Sequence, residues 1–174
     1  MKTKIEIIKA DITTLKVDAI VNAANNLLLG DGGVDGAIHK AAGSMLLTEC
    51  RSLNGCATGE AKITKGYDLP AKFVIHTVGP IWQGGNNNEE QLLRSCYENC
   101  LRIAVQNKLR SIAFPAISTG VYRFPKELAA KIALETINKF IRDEDSLEKI
   151  ILTCFSEKSY ELYVEILTDS QIGI

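Results

Sequence analysis

Charge of a single sign is what this 174-residue sequence most plainly lacks: 20 Lys and Arg stand against 21 Asp and Glu, a formal net charge of −1. A chain so balanced has no basic field to grip a phosphate backbone, and nucleic acid is not expected as a partner. Long apolar runs are missing too. Residues 5–10, which follow Lys2 and Lys4, are too few and too interrupted for the core of a signal peptide, and no later run approaches the length of a membrane span. The expectation is a soluble, cytoplasmic protein with no membrane contact. Histidine is scarce. His39 and His76 are the only two, and neither stands at a ligand spacing from a pair of cysteines, so neither metal nor cofactor is expected. The five cysteines form an odd set, which suits a reducing compartment better than a disulfide framework. Cys96 and Cys100 share a helix face and are read as core thiols. Also absent are a phosphate loop ending in Gly, Lys, Ser/Thr, a GxGxxG opening a helix after the first strand, and a Ser, His, Asp set at credible spacing. These absences count in turn against kinases, dehydrogenases and serine hydrolases.

What is present is a hydrophobic fraction of 46%, enough for one sizeable core, and residues 1–174 are read as a single domain. Apolar runs bounded by turn residues place strands at 4–10, 18–21, 60–64, 72–77, 111–114 and 149–154. Helical spacing places helices at 34–42 and 44–51, at 89–107, where Leu93, Cys96, Tyr97, Cys100 and Ala104 recur on one face, and at 125–141 and 156–167. Ser44 is expected to cap the second helix, and Pro125 to sit in the first turn of the fourth. Strand and helix alternate through most of the chain, which implies an α/β fold with a largely parallel sheet covered on both faces. Trp82, in the loop 79–88, is expected to be partly exposed.

The strongest local signal is residues 22–43, NAANNLLLGDGGVDGAIHKAAG. Gly30, Gly32, Gly33 and Gly36 fall within seven positions at the entrance to a helix, whose first turn offers free N–H groups and the positive end of the dipole. Such a junction suits an anion, a phosphate in particular. A second candidate loop, Ser118, Thr119 and Gly120, follows the strand at 111–114. In an open sheet both loops emerge beyond the carboxyl ends of the strands, where ligands bind. Asp35 stands in the first helical turn and complements the dipole. Asp11, directly after the first strand, has two readings that the local sequence leaves even: a cap on the next turn, or an acceptor for a ligand amino group.

Five stretches in order, NAAN at 22–25, GGVDGAIHKAAG at 32–43, TGEA at 58–61, HTVGP at 76–80 and PAISTGVY at 115–122, resemble the macrodomain family. The likeness is narrower still to its MacroD-type branch of O-acetyl-ADP-ribose and mono-ADP-ribosyl deacylases. It implies a three-layer α/β/α fold around a central mixed, mostly parallel sheet. It also implies ADP-ribose, O-acetyl-ADP-ribose and mono-ADP-ribosylated proteins as partners. Carried onto this chain, the resemblance makes Asp11 the acceptor for the adenine amino group, with the backbone of Ile12 completing that edge. Asn25 would bond the distal ribose. Gly32, Gly33 and Val34 would pass beside the distal ribose and pyrophosphate, while Ser118, Thr119, Gly120, Val121 and Tyr122 hold the phosphates from the other side. Phe124 would pack against the distal ribose, and Asp35 would be the catalytic carboxylate, with Asn25 orienting the ribose for it. Asn22 is read as bonding backbone to support the NAAN turn. His39 and His76 are read as packed residues rather than catalysts. Two positions depart from the family pattern: Asp31, an extra carboxylate in the glycine run, is expected to point into water, and Arg123, where relatives often carry glycine, is expected to be solvated.

The reaction so implied is hydrolysis of an acyl ester on the distal ribose of ADP-ribose, including release of mono-ADP-ribose from acidic side chains. Either Asp35 acts as general base on the water, its pKa raised by the neighbouring pyrophosphate, or a substrate phosphate oxygen activates the water and Asp35 orients the ribose. A non-catalytic ADP-ribose reader and an ADP-ribose 1''-phosphatase are the competing functions. The joint presence of Asn25 and Asp35 favours the esterase.

Overall fold

The computed structural model describes residues 2–171. Six strands, β1 (Lys4–Lys9), β2 (Ala19–Ala23), β3 (Ala61–Lys65), β4 (Phe73–Thr77), β5 (Ser111–Phe114) and β6 (Lys149–Cys154), form one sheet in the order β1-β6-β5-β2-β4-β3. Every pairing is parallel except that of the edge strand β3, which runs antiparallel to β4. The helices are α1 (Gly33–Ala42), α2 (Ser44–Ser52), α3 (Glu89–Gln106), α4 (Lys126–Asp143) and α5 (Glu157–Gln171), with a single 3₁₀ turn at Ile12–Thr14.

Side-chain alternation along the central strands sorts these helices into two layers. Ala19, Val21, Ile112, Phe114, Ile150 and Leu152 face one way and join Leu93, Tyr97, Ala130, Ile137 and Tyr163 of α3, α4 and α5 in the larger core. Ile20, Val74, Ala113 and Ile151 face the other way, against Ile38 and Ala42 of α1 and Leu46 and Cys50 of α2. The α/β/α layering and the mixed, mostly parallel sheet match the expectation. All five cysteines are buried and unpaired. Among the described residues no helix is long and apolar enough to cross a membrane.

Most boundaries fall within one or two residues of the sequence reading, and four of the differences have a local cause or extend an element. β2 continues two residues further, through Asn22 and Ala23, because both stay paired to His76 and Thr77 of β4. Ser44 is the first helical residue of α2 rather than its cap; Gly43, at φ +87°, makes the turn. Pro125 precedes α4 as its cap instead of lying in the first turn. α5 runs on to Gln171.

The position of the site follows from the topology. β2 and β5 are neighbours in the sheet, yet the helix after β2 lies on one face and the helix after β5 on the other. The two connections diverge, and a crevice opens between them at the carboxyl ends of the strands.

Candidate active site

The wall of this crevice on the β2 side begins at Asn25. Its Oδ1 accepts from the N–H groups of Leu27 (3.1 Å) and Leu28 (3.2 Å), so this side chain holds the turn that carries the chain out of the sheet. Asn26 ties the same turn to the next loop through Cys56 O (3.0 Å). The chain then passes Gly30, Asp31 and Gly32 into α1. Gly36 is required by close approach, since a Cβ there would overlap the carbonyl oxygen of Asp31. Gly33 is required by conformation, with φ at +63°. Nothing lies within 4 Å of a Cβ built on Gly32 or Gly33, and Gly32 supplies no side-chain cap. The first N–H groups of α1, at Gly33 and Val34, have no side-chain cap, the arrangement that favours an anion. Asp31 does not simply point into water. Exposed as it is, its carboxylate folds back so that Oδ1 accepts from Gly32 N–H at 2.8 Å and Oδ2 lies 3.4 Å from Asn25 Nδ2. The reason is local: a carboxylate one residue before an uncapped N–H finds a donor at hand.

Asp35, one turn into α1, is 3% exposed. Burial raises its pKa above the ordinary carboxylate value, and a bond from Asn22 together with the nearby His39 offsets part of that rise. The elevation is thus built into the protein, whereas the sequence reading had attributed it to a bound pyrophosphate. Asn22 is the larger correction. Its side chain does not support the NAAN turn through backbone; Nδ2 donates to Asp35 Oδ1 at 2.8 Å and lies 3.1 Å from His76 Nδ1. The cause is the extra length of β2, which puts Asn22 opposite His76 in the sheet, on the face that α1 covers. His39 Nε2 lies 3.4 Å from Asp35 Oδ1, one helical turn away, and its ring packs under Gly30. Packed it is, and it also meets the carboxylate.

The opposite wall is residues 115–124. Ser118 has φ +65°, a left-handed conformation that a non-glycine residue adopts only when its surroundings enforce it. They do so here: Phe124 N–H donates to Ser118 O (2.9 Å), Arg123 N–H to Gly120 O (3.0 Å), and Thr119 Oγ1 to Ala116 O (2.9 Å). Gly79 lies so close that a Cβ would strike Ser118 Oγ. Gly120 has open space around it, Val121 is 90% exposed and Tyr122 is half-buried, so this segment offers backbone more than side chain to the crevice. Phe124 is 2% exposed and sits beneath Trp82, the ring centroids 4.8 Å apart at 58°; in the protein as it stands its contact is with that tryptophan. Trp82, half-buried, donates its backbone N–H to Tyr122 O at 2.8 Å. The loop behind it is pinned by Glu89, whose buried carboxylate accepts from Gln83 (3.0 Å), Gly85 (3.4 Å) and Asn87 (3.0 Å). Burial works against that charge, but the N–H donors hold the carboxyl below its usual range.

At the β1 and β6 end of the crevice, Asp11 realises the capping reading. Its Oδ1 accepts from Thr13 N–H (3.0 Å) and Thr13 Oγ1 (2.7 Å), which leaves the exposed Oδ2 for another donor. Ile12 buries its side chain in the smaller core, so only its backbone faces outward. Sequence reasoning missed Phe155. Lys9 is paired with Cys154 and Ala10 N–H bonds Cys154 O at 3.3 Å, so Phe155 follows β6 where Ala10 and Asp11 leave β1, and this phenyl ring is 85% exposed. A large aromatic left in water beside a carboxylate at a strand end is the signal that marks it. Among the described residues no three His, Cys, Asp or Glu side chains are grouped to hold a metal ion.

Comparison with known proteins agrees with this layout. Residues 21–133 match the Macro domain family. A macro domain-containing protein of Chlorobaculum tepidum is 61% identical over 163 residues, which cover 94% of this chain and 95% of the relative. An O-acetyl-ADP-ribose deacetylase of Enterobacter sp. (strain 638) is 51% identical over 171 residues, 96% of this chain and 95% of its own. Among solved structures, the Oceanobacillus iheyensis macrodomain with ADP is similar at a TM-score of 0.96 and 46% identity, covering 99% of this chain and 94% of that one. With the fold, the glycine-rich entry to α1 and the two facing loops all in place, this chain belongs to the macro domain family.

Proposed function

We infer that this protein is a hydrolase of acyl esters on the distal ribose of ADP-ribose, removing the acetyl group of O-acetyl-ADP-ribose and mono-ADP-ribose from acidic side chains. A relative named for that deacetylation and a neighbour with ADP bound support the reading. The observation that carries it is Asp35: a buried carboxylate with a raised pKa, one oxygen held by Asn22, in the first turn of a helix whose N–H groups are uncapped. The N–H groups of Gly33 and Val34 and the backbone of residues 118–122 hold the pyrophosphate between them. Asp11 Oδ2 accepts from the adenine amino group while the Phe155 ring covers the base. Asn25 orients the distal ribose. Asp35 takes a proton from water as the oxygen attacks the acyl carbon; the bond between the acyl carbon and the ribose oxygen then breaks, that oxygen takes the proton from Asp35, and the products are the free acid and ADP-ribose. No redox partner enters. The five unpaired thiols are in keeping with a reducing, cytoplasmic setting.

The test is turnover of O-acetyl-ADP-ribose by the wild-type protein and by Asp35→Ala, with ADP-ribose affinity measured on both. The expected result is a loss of about 10²–10⁴-fold in kcat with affinity retained. Tight binding without turnover in the wild type would make the protein a reader, and release of inorganic phosphate would make it a phosphatase.

A further inference from the structure

Behind Asp35 three side chains form a line that touches no solvent and that the reaction as written does not use: Asn22 on β2, His76 on β4 and Thr64 on β3, exposed by 0%, 0% and 2%. Their hydrogens can be placed by elimination. An amide NH₂ only donates, so His76 Nδ1, 3.1 Å from Asn22 Nδ2, accepts and carries no proton. The imidazole proton is then on Nε2, which donates to Thr64 Oγ1 at 2.9 Å, while the threonine hydroxyl donates to Lys65 O at 3.2 Å. Burial keeps the ring neutral, its pKa pushed down to about 3 with His39 adding to the effect. The remaining ionisable groups around the ring are Asp35 on α1, Cys50 on α2, whose Sγ lies 3.8 Å from Nε2, and Lys62 on β3, which is turned to Leu53 O and Gly55 O.

The arrangement decides which way the Asn22 amide faces. One N–H points to the His76 lone pair and the other to Asp35 Oδ1; a flipped amide would set its oxygen against a lone pair on one side and a carboxylate on the other. We propose that His76 is a positioning residue for ester hydrolysis: its Nδ1 lone pair fixes the Asn22 amide, which locks Asp35 Oδ1 and leaves Oδ2 as the oxygen that meets the water. Asp35 Oδ2 is buried and, among the described residues, has no hydrogen-bond partner, so a water admitted beside it would be its donor. The proposal rests on Asp35 being the base.

Three measurements test it. In the wild-type protein, nitrogen NMR should show His76 as the neutral Nε2–H tautomer throughout the pH range of activity; an Nδ1–H tautomer would overturn the proposal. His76→Phe keeps the ring but removes the acceptor, and should lower kcat by about 10–100-fold with ADP-ribose affinity unchanged. The acid limb of the pH profile should move to higher pH, because ionised Asp35 loses a fixed donor. His76→Asn, which sets an amide oxygen near the place of Nδ1, should recover both kcat and the limb. Should His76→Phe not fold, Thr64→Val, near-isosteric and stripped of the Nε2–H acceptor, is expected to shift kcat and the limb the same way by less. A fall in kcat with the acid limb unmoved and no recovery in His76→Asn would reduce His76 to packing. Asp35→Ala is run alongside. If it keeps turnover, the base is elsewhere and the proposal falls with that reading; if it loses turnover while His76→Phe keeps kcat, the role of His76 alone fails.

Discussion

On the β2 side of the crevice the buried carboxylate of Asp35 is held by side chains, with Asn22 and His39 converging on it. On the β5 side the loop is held by backbone bonds and one aromatic pair, with its side chains either buried beneath, as Phe124 is, or left in solvent, as Val121 is. The contrast suits two different tasks. A proton acceptor needs a tuned environment, which only specific side chains provide, whereas a phosphate needs N–H groups at fixed positions, which any well-pinned backbone supplies. Substitutions on the first wall should therefore reach chemistry, and those on the second should reach binding and stability.

The largest effect that would sharpen this division is Trp82→Ala. It removes the ring over Phe124 and loosens the bond to Tyr122, and should cost about 2 kcal/mol of stability. ADP-ribose affinity should weaken while kcat at saturating substrate holds. Calorimetry with steady-state kinetics checks this, and a drop in kcat with affinity intact would break the comparison. Next is Asp35→Asn. Because the folded protein binds the Asp35 proton more tightly than the unfolded chain, wild-type stability falls as pH rises from the ordinary value of 3.8 through the raised folded one, and stays lower above it. The neutral amide escapes that loss. The variant should melt higher than wild type at neutral pH, lose turnover, and lose its advantage as pH drops below about 3.8. Thermal melts across pH would show it. The smallest effect belongs to Arg123→Gly. Arg123 is exposed and holds φ +61°, a conformation that glycine adopts without strain. The substitution should add about 0.5 kcal/mol of stability, with turnover unchanged. Chemical denaturation alongside the esterase assay measures both.

The layers and the crevice were legible because they rest on local pattern. Apolar runs bounded by turn residues marked the strands, the helical stripes marked the covering layers, and the glycines marked the loop before α1. What the sequence concealed depends on who stands next to whom across the sheet. Asn22 and His76 continue the series Ile20 and Val74 on the face under α1, but that series shows only once β2 is known to reach Ala23, and its length is set by pairing with β4 rather than by its own residues. The NAAN motif thus drew attention to a turn that Asn25 makes, while Asn22 was already part of the sheet. Asp11 could not be resolved locally because the cap uses only one carboxylate oxygen and leaves the other open to a further donor. Phe155 escaped notice because it falls between the last strand and the last helix, in neither pattern.

The strand order bears on how the chain comes together in time. β1 finds its only described strand partner in β6, Lys4 opposite Lys149, so the first strand made waits for nearly the last. A chain emerging from a ribosome must keep Lys4–Lys9 from pairing elsewhere until Lys149–Cys154 has been synthesised. Parallel pairing at such separation is slow to form. The four strands from β2 to β5 have no such wait and can associate first. Asp11 and Phe155, which flank the junction of β1 and β6, come together only when the sheet closes, so that end of the crevice is the last part to be born.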